Sequence, residues 1–148
     1  MTTPNRIALI QTGRLGEERA AGAITPGHLL ILGSGDTVTV HTPEGGRAER
    51  MIALEDALQG NTITDAYASG DVVTLLHALP GDEAYVMIAA GETITIGEQL
   101  ISAGDGTLKA LDNVSSGITV YQVIAVAIAA VDLSASGAVA TRTAVRFL

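Results

Sequence analysis

Three histidines, three pairs of adjacent acids and a single lysine are the residues whose chemistry has to be weighed first. His28, His41 and His77 lie on separate segments, and their spacing has no metal-ligand pattern, so packed or hydrogen-bonded histidines are the preferred reading. Glu17-Glu18, Glu55-Asp56 and Asp82-Glu83 are neighbours in sequence, and on strands such neighbours point to opposite faces, so none forms a local acid–base pair. Gly33-Ser34-Gly35 lacks the flanks of a nucleophile elbow and reads as a turn. Lys109 follows Leu108 rather than a glycine-rich phosphate loop. Asn113-Val114-Ser115 matches a glycosylation sequon, which means little without a secretory signal. There is no cysteine, which excludes disulfides and thiolate metal sites. No catalytic residue, metal or cofactor is assigned.

The elements around these residues are set out by turns. Glycine is followed directly by an acid seven times, at Gly16-Glu17, Gly35-Asp36, Gly70-Asp71, Gly81-Asp82, Gly91-Glu92, Gly97-Glu98 and Gly104-Asp105. Glycine reaches backbone angles that other residues resist, and a short acid beside it can bond nearby backbone, so each pair predicts a tight turn. Between them lie short runs rich in Val, Ile and Thr, a spacing that predicts an all-β sandwich or barrel. Strands are expected at 6–10, 28–32, 37–41, 49–54, 72–78, 84–89, 92–96, 99–101, 107–111, 118–131 and 139–148. Helix is limited to a turn near Glu55–Leu58, with Gly60 as its cap, and another near Thr64–Ser69. The segment 1–22 shows no period and three glycines, and reads as an N-terminal arm preceding a single β-domain, 23–148. Deleting such an arm is expected to leave the melting of the domain nearly intact.

Composition narrows the partners. With 47% hydrophobic but only 3% aromatic residues, the core must be aliphatic. The first residues lack a signal-peptide pattern and no apolar run spans a bilayer as a helix, so a soluble protein without a membrane partner is expected. The net charge of −8 is uneven: residues 51–141 hold eleven acids and one base, whereas the two ends hold five acids and seven arginines. An acidic body repels phosphate and argues against nucleic acid. On this asymmetry Arg6, Arg14, Arg19, Arg142 and Arg146 are the candidates for contact with a partner or a neighbouring protomer, against the plainer reading of solvated charges.

The order of several turn motifs resembles the head decoration, or capsid cement, proteins of tailed bacteriophages. The matching stretches are Ile24-Thr25-Pro26-Gly27, Ala53-Leu54-Glu55, the run from Ile63 to Val73, Pro80-Gly81-Asp82-Glu83-Ala84-Tyr85, Gly104 to Leu108, and Ala144 to Leu148. The first twenty residues match least. The resemblance implies a small β-barrel or jelly-roll-like protein, a homotrimer bound to the major capsid protein shell on its outer face. Such a protein is made in the host cytoplasm and stabilises the expanded capsid against disassembly and internal pressure. It has no enzymatic activity and no cofactor. Two alternatives stay open: a lipoyl- or biotinyl-like carrier domain modified at Lys109, and a trimeric β-fold enzyme with its site between subunits.

Overall fold

Six of the seven glycine–acid pairs carry their glycine at positive φ, between 69° at Gly35 and 96° at Gly81. In three of them the acid closes the turn in a reciprocal way. The backbone N–H of Asp71, Asp82 and Glu98 donates to the carbonyl three residues back, and its carboxylate accepts the N–H of that same residue. Each tetrad therefore keeps the ordinary turn bond and also satisfies the first residue's N–H, which such a turn leaves to water. The exception is Gly16-Glu17, which lies inside a strand.

The computed structural model describes residues 3–113, 116–117 and 121–148. Among the described residues the turns separate thirteen strands: β1 Ala8–Ile10, β2 Arg14–Ala20, β3 Leu30–Leu32, β4 Thr37–Val40, β5 Met51–Ala53, β6 Val72–His77, β7 Glu83–Ile88, β8 Thr93–Ile94, β9 Gln99–Ser102, β10 Leu108–Ala110, β11 Ala125–Ala127, β12 Val131–Asp132 and β13 Thr141–Phe147. The chain is all-β. Among the described residues helix is confined to single 3-10 turns at Ala57–Gln59 and Leu111–Asn113, the first ended by Gly60 in the left-handed conformation. The helical turn expected at Thr64–Ser69 is instead non-helical, and Tyr67 there bridges Ile24.

Strands β7, β10, β9, β11 and β13 pair in that order, and β13 pairs back onto β7, closing a five-stranded barrel. A second sheet runs β3-β4-β2-β6-β5, and a bridge between Leu29 and Ile52 ties its two edges together. Alternation lets β5 and β6 serve both interiors. Met51, Ala53 and Leu75 join Ile24, Leu30, Val38 and Tyr67 inside the second sheet. Ile52, Leu54 and Leu76 join the main core with Ile88, Leu100, Val145 and Phe147. The two strands form a wall shared by two cores.

Residues 3–22, expected as part of an arm over 1–22, are not detached from the domain. Ile7 is fully buried, β1 pairs with β7, and all of β2 from Arg14 to Arg19 pairs with β6. The arm reading rested on the missing hydrophobic period, and β2 has little because three of its seven residues are exposed charges around Gly16. The single long strand expected over 118–131 is also broken up. Residues 118–120 lie outside the described residues, and the rest supplies β11, a bend at Ile128–Ala129 and β12, which leaves the barrel to pair with β8.

Candidate functional site

The five arginines do not converge. Arg14 and Arg19 sit opposite His77 and Val72 in the second sheet, whereas Arg142 and Arg146 sit opposite Met87 and Glu83 in the barrel. Arg142 works inside the fold. Its Nε donates to the Pro26 carbonyl at 3.0 Å and its terminal nitrogen to the Ile63 carbonyl, tying two loops to β13. Arg146 forms an ion pair with Glu83 at 2.7 Å, and Arg19 donates to the Gly70 carbonyl at 2.9 Å. Arg6 and Arg14 are exposed.

Lys109 lies in β10, opposite Ile101, not at a hairpin tip. Its ammonium is 3.1 Å from Glu44 and its side chain is mostly buried. A carrier lysine must project from an exposed turn, so the geometry rejects that alternative. The density of turns around Gly104 and Gly106 suggested a tip, but the turn ends before Leu108.

The histidines are likewise scattered. Among the described residues no group of three or more His, Asp or Glu side chains is arranged to hold a metal ion. His41 is fully buried, with Nε2 2.9 Å from the Arg47 carbonyl and Nδ1 2.7 Å from the Ser102 hydroxyl. A carbonyl only accepts, so Nε2 carries the proton, and a neutral ring takes the Ser102 proton at Nδ1. The pair has the distance of a base and its nucleophile, yet Ser102 is itself fully buried and accepts the Gly104 N–H at 3.1 Å. It is a clasp between the 41–47 loop and the β9–β10 turn, with no access for a substrate.

His28 repeats the acid's role in the turn tetrads. In Thr25-Pro26-Gly27-His28 its N–H donates to the Thr25 carbonyl and its Nδ1 accepts the Thr25 N–H at 3.1 Å. Burial pushes its pKa below the ordinary 6.5, outweighing the opposing pull of Asp105, and Arg142 adds to the depression. The signal was present in the sequence, since Pro26-Gly27-His28 parallels Pro80-Gly81-Asp82.

Asp82, fully buried, binds more than its own turn. Its carboxylate accepts Thr12 N–H at 2.7 Å, Thr12 hydroxyl at 2.5 Å, Gly13 N–H at 2.8 Å and Leu79 N–H at 3.0 Å. Burial alone would raise its pKa; the bonds from Thr12, Leu79 and Gly13 overcome this and hold it below the ordinary carboxylate value. The staple fixes the β1–β2 connection against the β6–β7 turn.

One open groove of about 610 Å³ lies along the outer face of β2, lined by Leu15, Glu17, Thr74, Glu55, Asp56 and Leu58 among others. Leu15 is 58% and Leu58 93% exposed. Glu55 also accepts the N–H of Ile7 at 3.0 Å. The groove offers apolar contact and negative charge, without a base or nucleophile set for catalysis.

No protein-family model matches the chain, and no curated protein does. Among solved structures that match is the head fiber gp8.5 N base of bacteriophage phi29, with a TM-score of 0.58 over 91% of this chain and 93% of that one. The two share a fold. At 16% identity the likeness is one of backbone architecture, and the surface residues are this chain's own.

Proposed function

We propose that the protein is a structural component of a phage virion, bound to the outer face of an expanded capsid and adding its binding free energy to the stability of the shell. The observation that carries this reading is the fold shared with a phage head fiber base across nearly the whole of both chains. The side chains best suited to chemistry support it, because Asp82, His28, His41 and Lys109 are spent on holding turns and loops. A protein that binds the mature shell and not its dissociated subunits stabilises it by mass action, with no pocket or cofactor. Assembly as a homotrimer multiplies each contact through effective concentration. Arg6 and Arg14 are exposed, whereas Arg19, Arg142 and Arg146 have partners within the fold, so these two are the best placed of the five arginines for contact with the shell.

Co-sedimentation with undecorated shells, followed by cryo-electron microscopy of the decorated particle, tests the reading. Saturable binding and added density on the outer face are expected. Failure to bind shells of the parent phage would overturn it. Sedimentation equilibrium at micromolar concentration is expected to give three times the mass of the chain, and a monomer alone would remove the trimer.

A further inference from the structure

One turn of the chain closes on an imidazole where four others close on a carboxylate. Asp65, Asp71, Asp82 and Glu98 each donate their N–H to the carbonyl three residues back and accept that residue's own N–H on the side chain. In Thr25-Pro26-Gly27-His28 the same two bonds are made, with His28 Nδ1 as the acceptor. Nδ1 of histidine and Oδ of aspartate are both bonded to Cγ, so the acceptor stands at the same place in either turn. Their chemistry differs. A carboxylate goes on accepting until it is protonated at roughly pH 4, whereas a free imidazole is protonated at roughly 6.5. An imidazolium has two donors and no acceptor, so no rotation of the ring restores the bond from Thr25.

The same turn joins the second sheet to the barrel. Gly27 donates its N–H to Ala53 of β5 and accepts the N–H of Met87 of β7. His28 accepts the N–H of Ala53, and Leu29 donates to Gly106 in the β9–β10 turn. Arg142 of β13 adds its bond to the Pro26 carbonyl. The ring packs on Gly106, where a Cβ would come within 3.2 Å of it. Two charges act on it: Asp105, from the β9–β10 turn, favours protonation, and Arg142 opposes it. Tyr85 of β7 and Glu55 beyond β5 act on Arg142, and His41 at the end of β4 is bonded to Ser102 and Arg47.

We propose that this turn is an acid-sensitive latch between the second sheet and the barrel. Protonation of His28 opens residues 25–28 locally, at a pH where the four carboxylate turns stay closed and the domain remains folded. Opening parts Pro26 from Arg142 and loosens the bonds through Gly27 and Leu29, so the two cores are held tightly together at neutral pH and loosely in mild acid. The latch needs only the turn and its neighbours, and stands or falls apart from the virion reading.

Amide exchange by nuclear magnetic resonance on the full chain, expressed as protection relative to the free-chain rate at each pH, tests it. Thr25 and Gly27 report the latch, and Ala68 and Leu79 report two carboxylate turns. Between pH 7 and pH 5 the protection of Thr25 and Gly27 should fall severalfold, towards a ceiling of about thirtyfold set by a ring that titrates at 6.5 once released. Ala68 and Leu79 should keep theirs, and the thermal melt at pH 5 should stay cooperative. His28→Asp restores a carboxylate at the same place and should hold Thr25 and Gly27 protected at pH 5. His28→Asn, which accepts through an amide oxygen and does not titrate, should do the same and carries the test should the aspartate variant fail to fold. Protection of Thr25 and Gly27 unchanged down to pH 5, the same loss in a folded variant, or a loss shared by Ala68 and Leu79 would each overturn the proposal.

Discussion

Replacing Asp82 should be among the most damaging single changes in the protein, and asparagine should rescue almost nothing. One carboxylate oxygen takes the Thr12 N–H and hydroxyl, and the other takes the Gly13 and Leu79 N–H groups. Alanine would orphan three backbone donors around a fully buried position. Bonds to a charged acceptor contribute roughly 1.5–3 kcal/mol each, but Thr12 and Leu79 are exposed enough for water to recover part of that, which leaves about 3–4 kcal/mol for the set. For a chain of this length that is a fall of about 10 °C in melting temperature. Asparagine keeps one acceptor oxygen and turns an NH₂ towards the other two donors, so its cost should be about 3 kcal/mol rather than a fraction of it. The carboxylate's pKa is depressed on folding, so its contribution is present above the ordinary value of 3.8 and is lost as pH falls through the lower folded value. Urea titrations at neutral pH and in steps below pH 4 should therefore show wild type converging on Asp82→Asn in acid. An asparagine variant melting within about one degree of wild type at neutral pH would refute the reasoning.

Deleting residues 1–22 should abolish cooperative refolding, because β2 is a central strand of the second sheet and Ile7 is core; circular dichroism melting decides it. Phe147→Ala, which empties a position 1% exposed in the barrel, should cost about 3–5 kcal/mol in urea denaturation. Arg142→Lys should lower stability by about 1–2 kcal/mol, since an ammonium cannot span the Pro26 and Ile63 carbonyls as the guanidinium fork does. His28 is depressed on folding, so its neutral form favours the native state and stability should fall as pH drops below the ordinary 6.5. His28→Asn, which can still accept the Thr25 N–H, should flatten that limb of the stability-against-pH curve, and an unchanged limb would assign it to another group.

Local turn chemistry carried most of what was legible. The glycine–acid pairs marked strand ends because a positive φ and a short acceptor are intrinsic to those residues, and twelve of the thirteen strands lie in or against segments read that way. Strand β2 was missed because its burial comes from neighbours: Leu15, Glu17 and Arg19 face outwards, and only its far end, Ala20, enters a core. The 118–131 run failed in the opposite sense. Its apolar residues suit a strand throughout, but Gln122 leaves the ladder to exchange two amide bonds with Ala48. Charge asymmetry pointed to the arginines, yet composition cannot distinguish Arg142, whose partners are two loop carbonyls, from exposed Arg14. The carboxylates of the groove were visible only as two separate pairs of adjacent acids, Glu17-Glu18 and Glu55-Asp56, and it is the fold that sets Glu17, Glu55 and Asp56 around one groove.

Strand β7 takes β13 along one edge, and β1 with β10 along the other, so residues near 8, 84 and 145 meet at one place. No hairpin can form this junction early. The barrel closes only when segments some sixty residues or more apart find one another, which places a large loss of chain freedom ahead of most of the stabilising contact. Folding should accordingly be slow, on the order of milliseconds to seconds. Unfolding meets a barrier from the same source, because no strand of the ring can peel away without breaking pairings on both sides. On the virion role proposed above, the protein would work outside a cell where nothing repairs it, and there the lifetime of the closed ring matters more than the depth of its free-energy well.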